Sequence, residues 1–479
     1  MSDGRGRTRA SVARRLALQA LGRIEGRGAF AQDVIAKVVD ASDAPEADRA
    51  FATRLVLGVV SVRGTLDAVL DRCLRSPTDV RPDVRRALRI PVYEMVYLGK
   101  SPHAAVDQGV ELVRSVAPKA AGLANAVLRK VAKEARAFPF GDPARDLAAL
   151  SLLEGFPPWL TGLLEREWGR PAMEAFERAS NEPAPVFLFE NTLVAQPGRV
   201  AEAASAAGGA SKVATLEGVP LHGCLLLKDR RGLVSPLLAR LLDEGGALVS
   251  DASAQAVASL CALLATSAHE GPLDDVARLA EAPALGARHA PSVLELCAGR
   301  GTKTVMIQAN VQRACGVQAP VYVAVDNVPF KCELLGKRAK RCGAHVSETV
   351  CAELGGDGLI AEGEFDLVFL DAPCSGLGTL RRHPEIRWRI EPGVVEAAAE
   401  LDVRLLRQAA RSVRVGGFLV YATCTVTHAE NGQAVGSFLE SPDGAAFGTV
   451  SVFGGRSFRP ALVPGGPDVH FCAVMQRLR

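Results

Sequence analysis

From about residue 248 onward, short apolar runs alternate with stretches of helical periodicity. Four of these runs end in a small or polar residue: 292–297, 321–326, 366–371 and 417–422. Strands that alternate with helices pair in the same direction through right-handed crossovers. The pattern therefore predicts an α/β domain over 248–479, built on a mostly parallel sheet.

The first 135 residues have a different periodicity, because apolar residues recur there every three or four positions, as in 51–70 and 84–98. This spacing predicts an all-α region. Residues 1–23 carry six arginines and one acid, a composition that an organelle transit peptide would also have. A basic first helix is favoured, since apolar residues recur at helical spacing between Val12 and Ile24.

Prolines punctuate the stretch between the two regions, where a strand is predicted near 186–193 and a helix near 197–207. Such a mixture predicts a small α+β segment. The chain is therefore divided into three predicted domains, 1–138, 139–247 and 248–479.

Charge and cysteine content limit the classes of partner. The 56 Lys and Arg nearly balance the 53 Asp and Glu, so a basic surface for nucleic acid must be local. Eleven cysteines are scattered without a C-x-x-C pair, which predicts reduced thiols in the cytoplasm and no metal site. A run of apolar residues long enough to span a bilayer is absent, so no membrane partner is predicted.

Ligands of an open α/β sheet bind beyond the carboxyl ends of its strands. The first strand is followed by Cys-Ala-Gly-Arg-Gly-Thr-Lys-Thr over 297–304, whose small residues permit close approach of a ligand. The loop has neither the glycine before Lys303 that a phosphate loop needs nor a full G-x-G-x-x-G. Asp326 ends the second strand, where it would bind a ribose or cap a helix. Glu353 and Asp357 compete as a third contact.

Two cysteines follow neighbouring predicted strands. Asp371, Pro373 and Cys374 follow one strand, and Cys424 follows the next. A thiolate that adds to C6 of cytosine makes C5 nucleophilic, which is covalent catalysis and requires a lowered thiol pKa. The sequence over 371–374 is Asp-Ala-Pro-Cys rather than the D/N-P-P-Y/F of amine methyltransferases, so methylation of carbon is favoured.

These motifs resemble those of the bacterial RsmB-type RNA cytosine-5 methyltransferases, also called Sun or Fmu proteins. The resemblance extends over nearly the whole chain, and its first part is similar to a NusB-type RNA-binding domain. The stretches that carry it are 48–52, 103–107, 125–129, 371–378, 381–388, 421–424 and 430–431.

The resemblance implies a multidomain fold with an all-α NusB-like domain, a small α+β domain and an α/β Rossmann-like methyltransferase domain that uses S-adenosylmethionine. It implies that Cys424 attacks C6, that Cys374 promotes product release, and that Asp371 contacts the cytosine. It places Arg381, Arg382 and His383 near RNA, where a solvated surface loop is the alternative. The implied cofactor contacts are Cys297, Ala298, Gly299, Arg300, Gly301, Thr302, Lys303, Asp326, Glu353 and Asp371.

Three single positions and one short stretch depart from the family pattern. Arg300 stands where the family has proline, Thr302 where it has glycine, and Asp402 where it has glutamine. The usual D-G-F-F is Asp-Val-His-Phe over 468–471. If the glycine at 302 serves a positive φ, threonine would be strained there. The main hypothesis is methylation of ribosomal RNA, and the alternatives are a catalytically impaired RNA-binding or ribosome-assembly protein and a transfer-RNA cytosine-5 methyltransferase.

Overall fold

The computed structural model describes residues 9–267, 271–281, 290–354 and 362–479. Its internal contacts form two compact units. The first comprises Met1–Glu182 and Leu380–Pro392, and the second comprises Pro183–Thr379 and Gly393–Arg479. The three domain boundaries inferred from sequence stay predictions.

The first unit is all-α, as its periodicity predicts. Its first helix is capped by the Ser11 hydroxyl, which accepts from the amide of Arg14, and ends at Gly28 with φ of +62°. The helices of this unit are α1 (Val12–Arg27), α2 (Ala31–Ile35), α3 (Glu46–Ser61), α4 (Arg63–Cys73), α5 (Pro82–Val96), α6 (Pro102–Val116), α7 (Ala121–Glu134), α8 (Leu147–Glu154), α9 (Pro158–Trp168) and α10 (Arg170–Ser180).

The described helices include none that by itself has both the length and the apolar composition of a membrane span. Only α8 and α9 taken together meet that test, and the pair is bent by 111°.

The second unit begins with a small antiparallel sheet whose strand order is β2-β5-β1-β6. The predicted strand near 186–193 is β1, and the predicted helix near 197–207 is α11. The elements of this part are β1 (Phe187–Glu190), α11 (Arg199–Ala206), β2 (Ala210–Lys212), β3 (Thr215–Leu216), β4 (Val219–Pro220), β5 (Cys224–Leu227), α12 (Pro236–Asp243) and β6 (Ala247–Val249).

A seven-stranded sheet follows, in the order β12-β13-β11-β10-β7-β8-β9, with β13 antiparallel to its neighbours. The predicted parallel strands are therefore confirmed as β7, β8, β10 and β11. The elements are α13 (Ala252–Ala265), α14 (Ala277–Glu281), β7 (Ser292–Leu296), α15 (Thr302–Cys315), β8 (Val321–Asp326), α16 (Pro329–Arg341), β9 (Glu348–Cys351), β10 (Phe365–Asp371), α17 (Pro392–Ser412), β11 (Val413–Thr423), α18 (Ala434–Leu439), β12 (Phe447–Val450) and β13 (Phe471–Arg477).

Helices cover both faces of this sheet. Residues of α13, α15 and α16 pack on one face, and residues of α17 and α18 pack on the other. The central strand β10 is consequently buried on both sides, which explains its continuous apolar sequence. The strand order reverses between β7 and β10, and such a reversal opens a crevice at the carboxyl ends of the strands.

Candidate active site

A cavity of about 440 Å³ lies at the carboxyl ends of β7, β8, β9 and β10. It combines carboxylates with apolar walls and one lysine. Its lining residues are Cys297, Gly299, Val325, Asp326, Asn327, Lys331, Ala352, Glu353, Leu354, Asp371, Pro373, Leu401 and Leu405.

The loop after β7 is a tight turn whose left-handed positions are Cys297, Gly299 and Gly301, with φ of 58°, 59° and 75°. A Cβ on Gly301 would approach the Leu335 side chain to 2.8 Å, so glycine is required there. Thr302 is instead the first residue of α15 and has no positive φ. Backbone strain at Thr302 is therefore absent, and threonine fits this position.

Asp326 links this loop to the next one. Its carboxylate accepts from the amide of Gly299 at 2.9 Å and from the amide of Val328 at 3.0 Å. Helix α16 has Val328 as its N-cap, so the interpretation of Asp326 as a helix cap is wrong. Glu353 lies on the same cavity, whereas Asp357 lies outside the described residues.

The cavity fits S-adenosylmethionine. Asp326 and Glu353 offer carboxylates for ribose hydroxyls, and Leu401 and Leu405 offer apolar surface for a purine ring. Of the ten residues that the sequence implies as cofactor contacts, five line the cavity: Cys297, Gly299, Asp326, Glu353 and Asp371. The other five are not on its wall, and the Arg300 side chain is exposed.

Lys303 lies within the site but binds Asp371. Its ammonium is 2.9 Å and 2.7 Å from the two carboxylate oxygens of Asp371, and its side chain is only 14% exposed. Burial disfavours the charge, but attraction to Asp371 and to Cys424 outweighs it and raises the pKa of Lys303 above its ordinary value. The result is a fixed cation beside the second cysteine.

The two cysteines after β10 and β11 are in contact. Their Sγ atoms are 3.2 Å apart, and the amide of Cys424 donates to the Cys374 sulfur at 3.2 Å. The hydrogen bond from Cys374 lowers the pKa of Cys424, and Lys303 adds to the effect against burial and Asp371. The same hydrogen bond and burial raise the pKa of Cys374. The two pKa values therefore shift in opposite directions, which favours the thiolate form of Cys424 over that of Cys374.

Two protein families match the chain, one over its predicted helical region and one over its predicted α/β domain. The family described as 16S rRNA methyltransferase RsmB/F matches residues 282–460, and the NusB family matches residues 11–133. Ribosomal RNA small subunit methyltransferase B of Thermus thermophilus is 31% identical, over 90% of this chain and 88% of the relative. The probable methyltransferase B of Synechocystis is 30% identical, over 89% of both chains.

The chain belongs to the RsmB family.

Members of this family are RNA methyltransferases that use S-adenosylmethionine, and the likeness also holds for the fold. The crystal structure of PH0851 superposes with a TM-score of 0.75 at 21% identity, over 98% of this chain and 100% of that one. NSun6 from Pyrococcus horikoshii superposes with a TM-score of 0.52 at 15% identity, over 68% of this chain and 100% of that one.

Sequence reasoning missed one buried acid below the site of this RsmB-family chain. The Glu295 carboxylate in β7 accepts from the Thr304 hydroxyl at 2.6 Å and from the Tyr322 hydroxyl at 2.8 Å. Burial raises its pKa to about 7, the two hydroxyls oppose the shift, and Asp371 adds to it. An acid inside an otherwise apolar strand is the sequence signal that would have found it.

The segment implied to lie near RNA belongs to the helical unit. Arg381 is buried, and His383 lies against the ring of Phe30 with ring centroids 4.7 Å apart. Arg382 and His383, for which a solvated surface loop is the alternative, are half-buried. Contact of Arg381, Arg382 and His383 with RNA stays a prediction.

The following turn, Pro384–Trp388, is anchored by side chains that bind backbone groups of helices in the same unit. Glu385 accepts from the amide of Ala31 at 3.0 Å, and the Trp388 indole donates to the carbonyl of Ser61 at 2.8 Å. This part of the RsmB motif therefore stabilises the helical unit.

Arg387 of this turn is fully buried. It donates to the carbonyls of Gly155 and Ser180, both at 3.3 Å, and to the Asn181 side chain at 2.9 Å. Its guanidinium also lies 4.1 Å from the ring centroid of Phe156. Its partners are thus backbone carbonyls, an amide and a ring.

Proposed function

We propose that this chain transfers a methyl group from S-adenosylmethionine to C5 of a cytosine in RNA, through a covalent bond between Cys424 and C6. The observation that carries the proposal is the pair of sulfur atoms 3.2 Å apart, next to the Lys303–Asp371 ion pair. A structural cysteine pair would not need a buried cation beside it.

Cys424 begins the reaction as the nucleophile. Because its pKa is lowered by the Cys374 hydrogen bond and by Lys303, a larger share of Cys424 is thiolate at a given pH than for an ordinary cysteine, and the thiolate adds to C6. The addition moves electron density to C5. S-adenosylmethionine supplies an electrophilic methyl group on its sulfonium, which the activated C5 receives.

In this proposal Asp371 binds the cytosine ring, and Lys303 positions Asp371. Asp371 remains 27% exposed on the cavity wall while it binds Lys303, so its carboxylate can accept from the exocyclic amine or from a protonated N3. Lys303 holds that carboxylate in place through hydrogen bonds to both of its oxygens. Preorganised charge of this kind stabilises the transition state without reorganisation.

Cys374 acts after methylation. The C5 proton must leave so that the C5–C6 double bond re-forms and Cys424 departs as a thiolate. Cys374 adjoins the Cys424 sulfur and, in its thiolate form, would accept the C5 proton as Cys424 departs. The raised pKa of Cys374 keeps it from competing with Cys424 in the first step.

Ribosomal RNA of the small subunit is the proposed substrate. Support comes from the relatives named as small subunit methyltransferases, which match across nine-tenths of the chain, and from the NusB-family match. Bisulfite mapping of 5-methylcytosine in cells with and without the gene separates this substrate from transfer RNA. Loss of a methylated cytosine only in transfer RNA would overturn the ribosomal assignment.

The direct experiment traps the covalent intermediate. Purified wild type, Cys374→Ser and Cys424→Ser are incubated with cellular RNA and S-adenosylmethionine, and run on a denaturing gel. We expect Cys374→Ser to accumulate a protein–RNA adduct, and Cys424→Ser to form none and to lose methyl transfer. Cys315→Ser, on the far end of α15, is the control and should behave as wild type.

The alternative of a catalytically impaired RNA-binding protein rested on the altered cofactor loop. The ordinary backbone of Thr302 removes one of its two reasons, and the change to Arg300 is the other. Calorimetry with S-adenosylmethionine tests the point separately from RNA, and a protein that shows no binding would contradict the proposed activity.

A further inference from the structure

One buried acid of the catalytic half has no place in the chemistry above. Glu430 follows β11 by a few residues and is completely buried. Its carboxylate accepts four hydrogen bonds: from the amide of Ser375 at 2.6 Å, and from the hydroxyls of Ser375 at 2.7 Å, Thr425 at 3.0 Å and Thr427 at 2.7 Å. Among the described residues it has no ion-pair partner.

The partners of Glu430 flank both sulfur atoms. Ser375 directly follows Cys374, and Thr425 directly follows Cys424. The hydroxyls of Ser375 and Thr425 also contact each other at 2.5 Å. One carboxylate thus joins the loop after β10 to the loop after β11, at the residues next to the two thiols.

Asn431 reinforces the second loop from the adjacent position. Its side chain accepts from the hydroxyl of Thr423 at 2.6 Å and donates to the carbonyl of Thr425 at 3.3 Å. Residues on both sides of Cys424 are therefore held by the Glu430–Asn431 pair.

We propose that Glu430 is a positioning residue that holds Cys374 and Cys424 in contact for the methyl-transfer reaction. The inference rests on the proposed function, and it identifies the Glu430 carboxylate as the group that sets the spacing of the two thiols. Glu430 touches neither sulfur in this role and acts only through Ser375 and Thr425.

The chemistry of a carboxylate suits this role. An ionised carboxylate only accepts hydrogen bonds, and the donors reach both oxygens of Glu430: the Ser375 amide reaches Oε1, and the three hydroxyls converge on Oε2. Hydrogen bonds to a charged acceptor are shorter and stronger than neutral ones, and a fully satisfied buried network is rigid. The negative charge of Glu430 also contributes to the raised pKa of Cys374, after the hydrogen bond to Cys424 and burial.

Small displacements matter here. A misplacement of about 1 Å can cost 10²-fold in rate when reacting groups must be aligned. The two sulfur atoms are 3.2 Å apart, and the hydrogen bond between them depends on the two loops keeping that spacing. Loosening either loop should weaken that hydrogen bond and make Cys424 less reactive.

Three single substitutions test the proposal, since each removes one hydroxyl from the same carboxylate. Ser375→Ala and Thr425→Val loosen residues next to a cysteine, whereas Thr427→Val loosens a residue that is next to neither. In the full-length protein without RNA, the rate of Cys424 alkylation by iodoacetamide is measured against pH by mass spectrometry. Single-turnover methylation of RNA and affinity for S-adenosylmethionine are measured in parallel.

We expect Ser375→Ala and Thr425→Val to shift the alkylation midpoint of Cys424 to higher pH and to slow methylation about 30- to 100-fold. Affinity for S-adenosylmethionine should stay within about twofold, and Thr427→Val should slow methylation by no more than about threefold. Glu430→Gln should reduce methylation most, but its alkylation profile combines lost hydrogen bonds with a lost charge.

Equal losses in all three hydroxyl variants, or an unchanged alkylation profile in Ser375→Ala and Thr425→Val, would overturn the positioning role. If the alkylation profiles shift as expected while the wild type methylates no RNA, the positioning of the thiols stands and the proposed function fails.

Discussion

Two motifs that are neighbours in the chain bury their charged groups for different purposes. The stretch 371–378 lies in the second unit, and the stretch 381–388 lies in the first. Lys303 forms an ion pair with Asp371 of the first stretch, beside the sulfur atom of Cys424. Arg387, in the latter, binds backbone carbonyls and the Asn181 side chain and lies over an aromatic ring.

The pKa values of the two cations also shift in opposite directions. Burial opposes both charges, but Asp371 and Cys424 raise the pKa of Lys303, whereas the pKa of Arg387 falls to about 10 because burial outweighs Glu177 and its other neighbours. A buried cation therefore indicates a catalytic role only when a nucleophile or an exposed carboxylate is beside it. Burial of a cation by itself indicates a role in stabilising the fold.

Replacement of Lys303 should have the largest effect on activity. In Lys303→Met the cation beside Cys424 is lost, so the pKa of that thiol rises and methylation at pH 7 falls about 10³-fold. The loss should shrink as pH rises towards 9, because the thiolate then forms without the cation. Rates from pH 6 to 9 measure this, with exposed Lys337→Met as the control. A loss that is equal at every pH would contradict this role of Lys303.

Replacement of Arg387 should instead affect stability. Arg387→Met leaves the carbonyls of Gly155 and Ser180 and the side chain of Asn181 without their donor, at a cost on the order of 3 kcal/mol. Urea unfolding followed by the helical signal measures it. Per folded molecule, alkylation of Cys424 should be unchanged, and a change there would break the contrast between the two cations.

Asp402 extends the comparison to a buried carboxyl whose neighbour, the Tyr421 hydroxyl, only partly opposes the rise of its pKa. Its two oxygens have no hydrogen-bond partner among the described residues, and burial raises its pKa to about 8. Its folded-state pKa exceeds the unfolded value, so its protonated form stabilises the native state at low pH. That contribution is lost as pH rises from about 4 through about 8.

The resulting prediction concerns the stability of Asp402→Asn relative to wild type. Because the variant does not titrate, its relative stability should increase by on the order of 2 kcal/mol between pH 5 and pH 8. Urea unfolding at both pH values measures the change. A pH-independent difference would mean that the Asp402 carboxyl is ionised in the folded protein.

The smallest effect is expected at the altered cofactor loop. Thr302→Gly restores the family residue, but Thr302 already has helical backbone, so glycine should lower stability by less than about 1 kcal/mol. Affinity for S-adenosylmethionine should change by less than about threefold. A tenfold gain in affinity would show that the threonine side chain itself obstructs the cofactor.

The sequence by itself determined the class of each half of the protein. Apolar residues every three or four positions predicted the helices of the first unit, and apolar runs that end in polar residues predicted β7, β8, β10 and β11. These predictions succeeded because periodicity reports which face of an element is buried. The same rule placed Asp326, Asp371, Cys374 and Cys424 at strand ends, since parallel strands share their carboxyl edge.

Tertiary structure alone decided which side chains meet. Lys303, implied as a cofactor contact, binds Asp371 because the turn after β7 directs the first turn of α15 towards β10. The motif over 381–388 lies in the helical unit, whereas the residues that flank Leu380–Pro392 in the chain belong to the second unit. Glu430 joins the two thiol loops across 55 residues of sequence. Such contacts depend on the packing of elements distant in the chain, and the local pattern that predicts each element does not contain them.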